Sequence, residues 1–354
     1  MRPMFLFYKL CGATQLGRVT LRRRCRRRAA LVRHSPRTTM RKILLACSIF
    51  LLPLSTRSLA WSAPGHMIAA SFAYDQLTEV ERAKFDGILK SHTKFAVWQK
   101  QYPEAGLPDL PRGKFYAMLA SLYADEIRSH DNPETFSEWH YVDYPLIPPD
   151  FPMKPAPKPG DDVLAGIAKS SRAVQHLTKN FDVRTRAKML SYLLHLVGDV
   201  HQPMHCETLF DENFKTPEGD RGGNNAWVKP PGGHAIKLHA FWDQLFGSGG
   251  QLFRPVPLTI VLASDHRAKE IATKFPRTAL PELTEHKTPE SWSLESRAFA
   301  ISDGWRKHTI AYGLTAATAG ELPADYEEKA LAIAERQIAL AGYRLTDEVR
   351  EALK

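Results

Sequence analysis

The chain has 354 residues, 44% hydrophobic and 24% charged, which permits a sizeable core and excludes a disordered or low-complexity polymer. Its formal net charge of +10 suggests nucleic-acid or membrane binding, yet residues 1–60 hold 14 of the 48 Lys and Arg and none of the 38 Asp and Glu, so the remainder carries −4. The positive excess belongs to one end, and the body is mildly acidic.

Residues 1–39, with Arg22 to Arg28 interrupted only by Cys25, show no helical period and too few apolar residues for a core. They read as a basic extension that is not part of the native protein, with Met40 as the start, in preference to a nucleic-acid-binding arm. Arg41 and Lys42 then precede an apolar run from Ile43 to Leu54, and Ser58-Leu59-Ala60 places small residues where a signal peptidase reads. Residues 40–60 are therefore a signal peptide cleaved between Ala60 and Trp61, giving a secreted or periplasmic product. The run is too short for a span, so no stable membrane association is expected. Cys11, Cys25 and Cys47 fall in this leader, which leaves Cys206 alone in the mature chain and no internal disulfide.

From Trp61 onward helical patterns dominate. Thr78 followed by Glu81 predicts a capping box ahead of an apolar face of Val80, Phe85, Ile88 and Leu89. Val163, Leu164, Ile167, Val174 and Leu177 predict a second helix, and Val183, Ala187, Leu190, Leu194 and Val197 a third. Pro323 sits where a last helix could start, with Tyr326, Ala330, Ile333, Gln337 and Leu340 spaced by three and four. Pro-rich or Gly-rich connections run over 145–159, 216–233 and 247–257, strand-type alternation is scarce, and no repeat is present. One all-α domain over 61–354 is the simplest account.

The chemistry concentrates in His195-Leu196-Val197-Gly198-Asp199-Val200-His201-Gln202-Pro203-Met204-His205. His195 and Asp199 are four apart, so both project from one helix face, as two ligands of one ion must. His239 and Asp243 repeat the spacing, with Gly247 as a plausible helix stop. Such a pair offers a neutral nitrogen and an anionic oxygen, which suits zinc. One pair could be a surface hydrogen bond or a satisfied core histidine; two together favour a metal. The new N-terminus, Trp61-Ser62-Ala63-Pro64-Gly65-His66, adds an α-amine of pKa about 8 that can close a five-membered chelate with its own carbonyl oxygen, His66 completing the site. Ala124-Asp125-Glu126-Ile127-Arg128 and Trp139-His140-Tyr141-Val142-Asp143 are weak singly and gain value from their order along the chain.

This ordered set, with Arg221-Gly222-Gly223-Asn224 and Leu238-His239-Ala240-Phe241-Trp242-Asp243, resembles the zinc-dependent S1/P1-type nuclease family, which shares an all-helical fold with bacterial zinc phospholipases C. The resemblance runs from Trp61 into the region of residue 320. It implies three zinc ions: one held by Asp125, His140, His195 and Asp199, a second by His205, His239 and Asp243, and a third by the Trp61 amine and carbonyl with His66 and Asp199. His201 is not a ligand in the family and is assigned to support or packing. The resemblance places Asp143 near the attacking water and Arg128 and Asn224 at the phosphate or leaving oxygen, with Tyr141 as a stacking wall for a base. It implies an endonuclease cutting single-stranded DNA and RNA to 5′-phosphorylated products, with 3′-nucleotidase activity as a possible companion. Fungal members carry disulfides and glycans; a single mature cysteine and the lack of any Asn-x-Ser/Thr sequon suggest a bacterial-type member.

Two rival readings keep the metal. A phospholipase C-like phosphodiesterase would want an exposed apolar rim, for which Tyr144 to Pro159 offers Leu146, Ile147 and Phe151. A structural or storage zinc protein would saturate its ligands, and its sites are usually richer in Cys. A monomer is expected.

Overall fold

The computed structural model describes residues 61–128, 132, 134–153, 160–175, 182–248 and 255–354. The basic extension, the signal peptide and Leu177 fall outside the described residues.

Helix α1 spans Ala63–Gln76, with Pro64 in its first turn, where a missing N–H costs nothing. It is buried on all sides from Pro64 to Tyr74, so it has no polar face and runs through the core. Helix α2 (Glu79–Leu89) begins at the predicted capping box, Thr78 and Glu81 satisfying each other's backbone N–H. Its buried face is Phe85, Ile88 and Leu89, whereas Val80 is 68% exposed, being too close to the cap to turn inward. Short helices α3 (Phe95–Gln101), α4 (Arg112–Ala120) and α5 (Tyr123–Glu126) follow. Helices α6 (Val163–Gln175) and α7 (Val183–Asp199) pack together. Asp182 caps α7 by accepting from the Thr185 N–H at 2.7 Å.

Beyond α7 the chain makes α8 (Leu238–Asp243), α9 (Leu258–Lys274), α10 (Glu282–Glu285), α11 (Pro289–Phe299) and the long α12 (Tyr326–Ala352). The last helix starts at Tyr326, three residues after Pro323, and keeps the expected face, with Ala330, Gln337 and Leu340 buried. Five short strands lie in the connections. β1 (Pro145–Leu146) pairs in parallel with β2 (Thr208–Leu209), and β3 (Trp227–Lys229) lies between antiparallel β4 (Ile236–Lys237) and parallel β5 (Gly320–Glu321). The fold is all-α.

Helix α7 carries Leu190, Leu193, Leu194 and Val197 into a core shared with α2, α4 and α6. Helix α1 lies against α4, α7, α9 and α12, so the N-terminal helix is enclosed by helices from the whole length of the chain. Its crossing with α12 is close because residue 342 is glycine: a Cβ there would overlap the Phe72 ring. Substituting Gly342→Ala improves helix propensity by about 1 kcal/mol, but overpacking opposes it by about 1–3 kcal/mol. A lower Tm is expected for that variant; an unchanged or higher one would show slack at the crossing.

Candidate metal centre

Two helices deliver a His and an Asp from one face, as the four-residue spacing requires. Asp199, the last residue of α7, is fully buried. Its Oδ1 lies 3.4 Å from His66 Nε2, and its Oδ2 lies 3.1 Å from His140 Nδ1 and 3.2 Å from His195 Nε2. Asp125 Oδ1 is 3.8 Å from both His140 Nδ1 and His195 Nε2. The rings of His66 and His195 stack with centroids 3.8 Å apart. In the second group, Asp243, the last residue of α8, lies 3.8 Å from His205 Nε2 through Oδ1 and 3.6 Å from His239 Nε2 through Oδ2. Of the expected metal residues, these eight side chains are buried and fall into groups able to hold an ion.

The ring nitrogens show what such groups want. Nδ1 of His195, His205 and His239 lies 2.7, 2.6 and 2.6 Å from the carbonyl oxygens of Ser121, His140 and Gly222. A carbonyl only accepts, so each Nδ1 carries a proton and each ring turns its Nε2 toward carboxylate oxygens. A ring nitrogen facing carboxylates in a dry interior takes a proton or a metal cation. Zinc at 2.0–2.1 Å from each ligand in tetrahedral geometry sets neighbouring donors about 3.4 Å apart, close to the separations here. Both ring nitrogens of His66, His140 Nε2, His205 Nε2, Asp125 Oδ1 and Asp199 Oδ1 are buried without a hydrogen-bond partner, an arrangement that costs stability unless a ligand is bound.

The histidines titrate unequally. Burial lowers the pKa of His66, and the neighbouring His195 lowers it further. Burial also lowers His239, to about 4. At His195 burial is outweighed by the carboxylates of Asp199 and Asp125, and the pKa rises to about 9. Asp199 is driven well below the carboxylate range by its histidines, against the effect of burial.

Trp61 is fully buried, its indole N–H donating to the Gly198 carbonyl at 3.0 Å. A Cβ at Gly198 would stand 3.0 Å from His66 Nδ1 and 3.9 Å from Trp61 Cδ1, so glycine lets both rings close on the end of α7. The Ser62 N–H donates to the Asp243 carbonyl at 2.9 Å, which ties the same stretch to the second group. Arg128 Nη1 lies 3.8 Å from Asp125 Oδ1, and its charge depresses both His140 and His239, so it lies near both groups. Asp143 is half-buried and accepts from the Thr208 hydroxyl at 2.6 Å. The Tyr141 hydroxyl donates to Glu138 at 2.7 Å. Asn224 donates to the Arg221 carbonyl at 3.0 Å instead of to a residue of either group, although its turn adjoins Gly222, which fixes His239.

His201 points away from both groups. Its Nδ1 donates to the Val197 carbonyl at 2.6 Å, and its Nε2 accepts from Arg344 at 2.8 Å, which leaves no lone pair for a metal. Sequence reasoning missed Gln202, whose Nε2 donates to Asp243 Oδ1 at 2.7 Å and so orients that carboxylate. Its place between His201 and His205 was the available signal. Glu207 and Asp220, two fully buried carboxyls beside this region, gave no spacing cue.

Removing metal with a chelator should lower the Tm and restoring zinc should raise it again, because the orphaned donors are satisfied only by an ion. Identical melting curves with and without chelator would overturn the metal-binding reading of these groups.

Comparison with known proteins agrees with the geometry. The model of the S1/P1 nuclease family matches residues 61–354. Nuclease P1 of Penicillium citrinum is 24% identical over 305 residues, 82% of this chain and 97% of that protein. Endonuclease 4 of Arabidopsis thaliana is 24% identical over 311 residues, 84% of this chain and 90% of the relative, and nuclease S1 of Aspergillus oryzae 23% over 236 residues, 65% and 77%. With its all-α fold and buried His and Asp groups, the chain belongs to the S1/P1 nuclease family of zinc-dependent phosphodiesterases.

Proposed function

We propose that residues 61–354, released by cleavage between Ala60 and Trp61, act as a secreted or periplasmic monomeric endonuclease on single-stranded DNA and RNA, leaving 5′-phosphorylated products and also dephosphorylating 3′-nucleotides. The observation that carries this reading is the pair of buried His and Asp donor groups, with Nδ1 held by carbonyls and Nε2 directed at carboxylates. We assign Asp125, His140, His195 and Asp199 to one zinc, His205, His239 and Asp243 to a second, and the Trp61 amine and carbonyl with His66 and Asp199 to a third. Bound zinc would lower the pKa of water toward about 7 and take up charge on the phosphoryl oxygens. Three dications outweigh three carboxylates, so an acidic body still offers a polyanion a cationic site.

The protein's own groups do the rest. Burial raises the pKa of Asp143 above the usual range, opposed by the Thr208 hydrogen bond and aided by nearby Glu138. A carboxylate so held is a better base than a solvated one, and it orients the attacking water and takes its proton. Arg128 faces the phosphate as a fixed cation, and Asn224 serves the leaving oxygen. Tyr141, anchored through its hydroxyl, gives a base a flat wall, which favours strands whose bases are already unstacked. The lipid-headgroup alternative loses its support: Leu146, Ile147 and Phe151 are all half-buried, and none of the described residues of 144–153 is an exposed large hydrophobic. No helix among the described residues is long and apolar enough to cross a membrane.

Two experiments test this. Asp143→Asn should lower kcat on single-stranded DNA by about 10²–10⁴ while zinc content stays unchanged; full turnover in that variant removes Asp143 from the mechanism. A form carrying extra residues before Trp61 should bind less zinc and lose activity relative to one starting at Trp61. Equal zinc and equal rates in both forms would remove the N-terminal chelate.

A further inference from the structure

The turn ahead of α8 is organised around a carboxyl that the chemistry proposed above leaves unused. Gly219, Arg221, Gly222 and Gly223 all have positive φ, between 59° and 82°. Local preference does not sustain such a run of left-handed backbone, which is unfavourable at Arg221, the one member with a Cβ. The turn therefore needs an anchor from outside its own residues. Asp220, fully buried within it, accepts from the Leu209 N–H at 2.5 Å through Oδ1 and from the Gly223 N–H through Oδ2, and the Gly222 N–H also bonds to it. Its own N–H donates to the Leu209 carbonyl at 2.9 Å, and its carbonyl accepts from the Asn225 N–H at 3.0 Å. Leu209 belongs to β2, so Asp220 fastens the turn to a strand.

Both sides of this junction carry residues of the site. On the strand, the Thr208 hydroxyl donates to Asp143 at 2.6 Å. On the turn, the Gly222 carbonyl accepts from His239 Nδ1 at 2.6 Å, and the Gly223 carbonyl accepts from the His239 backbone N–H at 3.3 Å. The packing leaves no slack: a Cβ on Gly222 would overlap the Met204 carbonyl, and one on Gly223 would stand 2.9 Å from the His239 backbone nitrogen. A shift of the turn is thus passed directly to the His239 ring. Burial, with Asp143 adding to it, pushes the pKa of Asp220 up to about 7, and the backbone N–H donors oppose the rise. An apolar side chain at 220 would avoid that cost but would leave three N–H groups without their acceptor.

We propose that Asp220 is a positioning residue of the metal centre. It fastens the 219–225 turn to β2, keeps the Gly222 carbonyl on His239 Nδ1, and so sets the direction of His239 Nε2 toward the ion of the second group. Its oxygens face backbone N–H groups, so it acts through His239 and is not itself a ligand. This rests on the assignment of His205, His239 and Asp243 to one zinc made above.

The test uses protein expressed from the full sequence, with Asp220→Asn, whose amide keeps one accepting oxygen and turns its N–H₂ on a backbone N–H. Zinc content is measured over a series of buffered free-zinc concentrations, and the visible spectrum is recorded with cobalt in place of zinc. In Asp220→Asn one ion should bind about 10–100-fold more weakly, the others should titrate as in the wild type, and the cobalt bands of the weakened ion should move. Asp243→Ala should lose that same ion. A wild-type titration and cobalt spectrum in Asp220→Asn would overturn the positioning role whatever its Tm, and so would equal weakening of every ion. If Asp220→Asn does not fold, Asp220→Ser takes its place, and failure of both to fold would make Asp220 a folding residue and overturn the proposal as well. Asp243→Ala that keeps every ion would show the zinc assignment itself to be wrong, whereas loss there with wild-type behaviour in Asp220→Asn counts against Asp220 alone.

Discussion

The site depends on an unfavourable placement that only a cation relieves. Asp199 and Asp243 each occupy the last position of their helix, where the macrodipole presents its negative end and repels an anion. Both are also buried, which penalises the charged form again. Elsewhere in a protein the first cost would favour Lys or Arg at such a position and the second an apolar residue. Here they create a strong local demand for positive charge, and three of the surrounding histidines are held through Nδ1 by carbonyls so that Nε2 faces the carboxylates. Much of the architecture serves to hold those helix ends near each other.

Each end is secured by distant chain. The terminus of α7 receives the Trp61 indole on one side, and on the other His201 accepts from Arg344 of α12. Arg344 is paired in turn with Glu295 at 2.9 Å, and Gln337 donates to the His201 carbonyl at 3.2 Å. A buried network of directional bonds fixes the orientation of α7 more sharply than apolar packing would, although Arg344 Nε and Gln337 Oε1 stay without a hydrogen-bond partner. The terminus of α8 is held by Ser62 and by Gln202. Nearly all of these clamps come from outside the helix they hold.

That division explains what could be read from the sequence. Periodicity sufficed for the spacing of His195 with Asp199 and His239 with Asp243, because a helix converts a four-residue interval into a shared face without further information. The capping box at Thr78 was legible for the same local reason. Val80 was misjudged because period alone ignores that the first turn of a surface helix has little to bury against. The start of α12 lay beyond Pro323 because a helix start depends on where the preceding loop leaves the chain. Arg344 and Glu295 were out of reach: their partners are set by tertiary approach, and neither stands in a spacing that chemistry would single out. Resemblance alone joined Asp125 to His195, and it set His66 apart with Trp61 and Asp199; the fold brings His66, Asp125 and His195 together from three separate helices.

The bond from the Trp61 indole to Gly198 spans 137 residues, and the tie from Ser62 to Asp243 reaches further along the chain. Contacts of such long range form late, since the loops they close must lose their entropy before the contact repays it. Residues synthesised well before their partners are thus among the last to find their place. The donor groups can be completed only when the segment up to Asp243 has emerged and packed. Ion capture is therefore expected as a closing event of maturation, and a chain interrupted before α8 would remain without the second donor group.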